Sequence, residues 1–124
     1  MQDRPDPVDL VRTVAAALRE RLLPQLTGSA AFEARVAANA LELVVRQLEC
    51  SAAAEAAEWS RLQALLGATG SLAELNALLC ARIADGSLAA DNPAMLAHLW
   101  ATTLEKLAVD QPTYAAYRDE VARG

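Results

Sequence analysis

Toward the C-terminal end of the chain, His98, Thr102, Lys106 and Asp110 follow one another at four-residue intervals, so a helix would carry them on one slowly rotating stripe. Imidazolium, hydroxyl and ammonium groups in such a row can hold a phosphate or carboxylate, with Arg35 or Arg82 completing the site as a guanidinium. The same row fits a plain solvated helix face. A second polar stripe, Arg35, Asn39, Glu42, Arg46 and Glu49, spans about 80° at 100° per residue on a helix that is otherwise broadly apolar. It reads either as one solvated edge with Glu42 and Arg46 paired one turn apart, or as part of a ligand site. Asn76 and Arg82 fall in or beside the apolar arc Leu72, Leu75, Leu79 and Ile83. There they serve as snorkelling and helix-end bonds or as ligand contacts.

Catalytic constellations are harder to assemble. No glycine-rich phosphate loop, nucleophile elbow or paired-histidine zinc motif occurs, and one His with two distant Cys makes no convincing metal site, so no metal and no cofactor are expected. Cys50 and Cys80 show no spacing that brings His98 to either as a base. Proton transfer by His98 with Glu105 or Asp110 is the enzymatic reading, and no oxyanion or phosphate cradle accompanies it. No residue is assigned as catalytic. Tyr114, Tyr117 and Val121 recur on one face near the end of the chain, where they serve as packing or as hydroxyl contacts.

The elements that would position these groups are helices. Of 124 residues, 29 are Ala and 20 are Leu, while aromatics make up only 4%. Asp6, Pro7 and Asp9 read as cap, first helical residue and first-turn acid of a helix with the arc Leu10, Val11, Val14, Leu18 and Leu22, closed by Pro24 and Gly28. Ser29 is expected to cap a second helix to about Cys50, and Ser51 a third that ends at Gly67 as a left-handed C′ residue. Ser71 and Glu74 spell a capping box for a fourth, stopping at Gly86. Asn92 with Pro93 opens a fifth through about Val109, and Asp110 or Gln111 with Pro112 opens a short last one. The expected fold is therefore all-α, a single-domain bundle of about five to six helices over residues 1–124. At this length a domain buries roughly 68% of its unfolded surface, enough for a core without staples.

On the fifth helix Leu96, Trp100, Thr103, Leu104 and Leu107 point one way, while Met95, Leu99 and Val109 add apolar bulk among the polar groups of the other. Such a helix sits between two layers or offers its second face, Met95, Leu99 and Val109, to another chain, and a homodimer is the expectation. With 11 Lys+Arg against 16 Asp+Glu, net −5, and no basic block, nucleic acid is a poor partner. No apolar run approaches a membrane span. The opening MQDRPDPVDL shows neither a basic nor an apolar leader region, so a cytoplasmic location is expected, with both cysteines as buried reduced thiols.

The opening MQDRPD and the segments AFEARVAANALELVVRQLE, LNALLCARIADG and HLWATTLEKLAVDQPTYAAYR resemble a family of small bacterial helical proteins described only as a domain of unknown function. That resemblance spans nearly the whole chain. It implies genes beside or fused to aminoglycoside-kinase-like phosphotransferases and near acyl-CoA dehydrogenases, hence an accessory role in acyl-CoA or related acid catabolism. The family's polar positions correspond to Arg35, Asn39, Arg82, His98, Thr102, Lys106, Asp110, Tyr114 and Tyr117, with no catalytic role attached. The leading expectation is a non-catalytic interaction module working with a phosphotransferase-like or acyl-CoA dehydrogenase partner. The alternative is a binder or sensor of a CoA ester or organic acid anion at Arg35, Asn39, Arg82 and Lys106.

Overall fold

Three helix starts fall where the capping residues Asp6, Ser71 and Asn92 stand, whereas the helix expected from Ser29 begins at Gly28 and the last one follows Tyr114 rather than Asp110 or Gln111. In a computed structural model, which describes residues 5–124, Asp6 is extended and its carboxylate accepts from the Val8 amide at 2.8 Å, with Pro7 opening helix α1, Pro7–Ala17. The chain then widens into a π-helical turn, Leu18–Leu22, and tightens into a 3-10 turn, Leu23–Gln25, around Pro24. Helix α2 runs Gly28–Leu66, α3 Leu72–Ala84, α4 Pro93–Asp110 and α5 Ala115–Arg123, with no strand among the described residues. The all-α expectation holds.

The expected break at Ser51 is absent, and α2 is one helix of 39 residues. A serine caps only where the backbone leaves the helix. Between Ser29 and Leu66 no Gly or Pro forces it to leave, and Ala52–Ala54, Ala56 and Ala57 are the strongest helix formers. The helix stops at Gly67, whose φ of 59° is the left-handed conformation that L side chains avoid. Arg82 then donates to the Leu66 carbonyl at 3.0 Å, satisfying an orphan oxygen of the last turn. Helix α3 carries its capping box complete: Ser71 and Glu74 each receive the other's backbone N–H. Asn92 caps α4 by accepting from the Met95 amide at 3.0 Å.

Packing divides the chain into two compact units, one through Cys50 and one from Ser51 onward. In the first unit α1 lies on the N-terminal part of α2, and the buried residues between them are small: Ala15, Ala38 and Val45. In the second unit Leu62 and Leu66 of α2, Leu75 and Leu79 of α3 and Met95 of α4 form one apolar cluster, flanked by Leu65, Leu72, Leu78 and Leu88. The Trp59 indole N–H closes the turn after α2 by donating to the Gly70 carbonyl at 2.8 Å. Ile83, expected in this core, is exposed at the end of α3. Both cysteines are unpaired, but Cys50 is half-buried and Cys80 exposed, which corrects the expectation of buried thiols. No described helix is long and apolar enough to cross a membrane.

Candidate functional site

Met95, His98, Thr102, Glu105 and Val109 recur every three to four residues on α4, so they share one face. That face is turned inward, with His98 only 3% exposed. Opposite it stands Arg61 of α2. Its guanidinium forks onto Glu105, Nη1 to Oε1 at 2.8 Å and Nη2 to Oε2 at 2.7 Å, and Nη2 also donates to the Thr102 hydroxyl at 3.3 Å. This is the bidentate geometry at which arginine holds a carboxylate best, and it raises the already high Arg61 pKa. Burial pushes the His98 imidazole below its ordinary value and nearby Arg61 adds to that, while Glu58 and Glu105 pull the other way. In neutral water the ring is therefore uncharged.

Two polar atoms of this group, Arg61 Nε and His98 Nδ1, are buried without a hydrogen-bond partner among the described residues. Each such orphan costs about 1–3 kcal/mol unless something outside the chain satisfies it. Arg61 and His98 also line one cleft of about 340 Å³, whose remaining walls are Ala64, Leu65, Ala94 and Ala97. The cleft is thus apolar apart from the Arg61 and His98 side chains, and it lies beside an ion pair whose charges already cancel.

The first unit places its polar groups differently. Arg19, on the π-helical turn, donates through Nε to Glu42 and through Nη2 to Asn39, each at 2.7 Å, and Arg12 pairs with Asp9 at 2.9 Å and with Glu49. The expected solvated edge of α2 is largely exposed and runs along the side of α1, where Glu42 meets Arg19. A cleft of about 300 Å³ opens there between Arg12, Arg19, Glu20, Glu42 and Arg46. The two guanidiniums of Arg12 and Arg19 are already matched by carboxylates, which weakens this cleft as an anion site. The polar stripe borders α1 while staying largely exposed, and apolar side chains are turned out as well: Phe32 is 64% exposed, and Val36, Leu43, Val44 and Leu48 on α2, with Leu10 and Val14 on α1, are also exposed. The apolar arc of the first helix is split, with Leu10, Val14 and Leu22 exposed and Val11 and Leu18 partly buried.

The predicted ligand row separates. His98 and Thr102 join Arg61 in the interior, whereas Lys106 and Asp110 stand in solvent. Arg35 is exposed in the first unit, Asn39 is taken by Arg19, and Arg82 is taken by the Leu66 carbonyl. Asn76 donates to Glu58 at 2.9 Å and to the Leu72 carbonyl at 3.1 Å. Tyr114 sits exposed at the start of α5, Tyr117 is half-buried and Val121 exposed, so the expected packing stripe is mostly wet. Of the expected interface residues, Met95 and Val109 are buried in the chain at 3% and 7%, and only Leu99, at 41%, reaches the surface, next to Leu96 and Trp100. The reason is rotational: α4 buries the face carrying His98.

The residue that sequence reasoning passed over is Arg61. A signal for it exists, since it is the sole basic residue between Arg46 and Arg82, set against Leu62, Leu65 and Leu66. A cation alone in an apolar stretch requires a partner. Among the described residues no group of three or more His, Cys, Asp or Glu is placed to hold a metal ion.

Comparison with known proteins adds one finding. The family described as Domain of unknown function (DUF6285) matches residues 24–114, a span from the 3-10 turn before α2 to the start of α5. Neither a curated protein nor a solved structure matches the chain.

Proposed function

We propose, for a chain that belongs to the DUF6285 family, that it works as a non-catalytic helical interaction module whose first partner is a second copy of itself. The observation that carries this reading is the outer face of α2. From Val36 to Leu48 it presents Val36, Ala37, Ala40, Leu43, Val44, Gln47 and Leu48, apolar apart from one amide and without a charge. Exposed apolar stretches rimmed by polar groups mark interaction surfaces. Each copy has a net charge of −5, so two copies meet at least electrostatic cost along an uncharged face. The spacing also suits pairing of a helix with its own symmetry mate, where the same residues serve both sides.

The partner types implied by the sequence resemblance, a phosphotransferase-like or an acyl-CoA dehydrogenase protein, are the hetero-partners to test by co-expression. Assembly comes first. Native mass spectrometry and light scattering should return the mass of two chains for the natural sequence, and of one chain for Val44→Asp with helical circular dichroism unchanged. A monomeric natural protein overturns the reading, as does a dimeric Val44→Asp. Leu99→Asp on α4 should remain dimeric; if it alone dissociates, the contact belongs to α4.

A further inference from the structure

The groove between α1 and the first half of α2 has two flanks of opposite character. Arg12 bonds Glu49, and two turns further on Arg19 bonds Glu42 two turns further back, so the two helices run antiparallel. At about 100° per residue, Arg12 and Arg19 lie to one side of the buried Ala15 on α1, and Val11, Val14 and Leu18 lie to the other. Helix α2 divides in the same sense about the buried Ala38 and Val45. Asn39, Glu42 and Glu49 stand with the arginines they bond, and Leu41, Val44 and Leu48 stand opposite them. One flank is therefore ionic. The other is aliphatic on both helices, and along residues 10–18 of α1 and 34–48 of α2 it carries no charged side chain. It is also open: Leu10 and Val14 are each 51% exposed, Val44 41% and Leu48 49%.

We propose that a second copy of the chain docks on this aliphatic flank with both of its helices, so that two hairpins enclose one four-helix core. The inference rests on the pairing read above from α2 and extends that contact onto α1. Helices form stable layers by burying an apolar stripe against another element, and between its two helices this unit buries only Ala15, Ala38 and Val45. A hairpin with one apolar flank is half of a four-helix bundle. The occupant follows from the chemistry of the flank. With no charge to offer, it gives a charged partner nothing to pair with, whereas a second copy supplies an uncharged aliphatic flank of the same length and keeps both ionic flanks in water. Area points the same way. A stable interface removes about 800 Å² from each partner, and a face two helices wide comes nearer to this than the single edge of α2.

Sedimentation velocity on a dilution series of the full-length chain tests the extension. Val14→Asp sets a charge on the α1 side of the flank and should weaken association about hundredfold or more, as Val44→Asp does from the α2 side, with helical circular dichroism retained. Leu10→Glu, near the start of α1 where an acid suits the helix dipole, repeats the test and stands in should Val14→Asp lose helicity. Thr13→Glu, exposed on the side of α1 away from the flank, adds the same charge and should leave association unchanged. If Val44→Asp dissociates while both α1 flank variants stay dimeric, pairing through α2 stands and the four-helix core falls. Dissociation of Thr13→Glu to the same degree as Val14→Asp assigns the effect to added charge and overturns the flank as well. A monomeric natural chain removes the pairing itself, and this inference with it.

Discussion

The two units spend similar amino acids in opposite ways. Between α1 and the first half of α2 the buried contact is Ala15, Ala38 and Val45, bordered by Arg12 and Arg19 reaching their acids, and the large apolar residues face outward. From Ser51 onward the leucines and Met95 are inside, and polarity is admitted at one place, around Arg61. Small side chains let helices approach closely but remove little apolar area from water. The first unit thus leaves much of its apolar area exposed, while the second holds its own core. Amphipathicity alone, then, does not say which face of a helix is the inner one.

The comparison breaks most readily at Leu62. This side chain is fully buried, so Leu62→Ala should lower unfolding stability by about 2–5 kcal/mol in urea titrations. Val45→Ala in the first unit should cost clearly less, and equal losses would erase the contrast. The ion pairs come next. A double-mutant cycle of Arg61→Met with Glu105→Gln should give a coupling of about 1–3 kcal/mol, because each single change strands a largely buried partner. The parallel cycle on Arg19 and Glu42, which face solvent, should give a far smaller coupling that fades in high salt.

Smallest is the effect of pH through His98. Its folded pKa lies below the ordinary 6.5, so the unfolded chain takes up a proton first as pH falls through that value. Stability should decline as pH drops from 6.5 toward the folded pKa, and His98→Gln should flatten that part of the curve. An unchanged slope in the variant would place the titration on another group.

Local punctuation was legible because caps are decided by a few neighbouring atoms. Asp6 with Pro7, Ser71 with Glu74, Gly67, and Asn92 with Pro93 all act as their types require. Ser51 misled because a serine is a cap or a helical passenger according to its downstream neighbours, and here those are alanines. Rotation about helix axes was not legible. The stripe Arg35, Asn39, Glu42, Arg46 and Glu49 is largely exposed, as expected, but the partners of Asn39, Glu42 and Glu49, Arg12 and Arg19, sit far earlier in sequence and could not be read from it. The row from His98 to Asp110 crosses from interior to solvent within three turns. Periodicity fixes which residues share a face; long-range partners decide where that face points.

The π-helical turn at Leu18–Leu22 gives the first unit a tolerance that concerns the length of its gene. There the Leu23 amide reaches back five residues to the Leu18 carbonyl, so the ring encloses one residue more than an α-turn. Loss of a single codon inside this turn would let the ring close as ordinary helix. A deletion between Thr13 and Ala17 would instead rotate the preceding residues by about 100° and carry Arg12 away from Glu49. A one-residue deletion is accordingly best tolerated at these five positions, which makes the turn the place where this segment can lose a residue and keep its register.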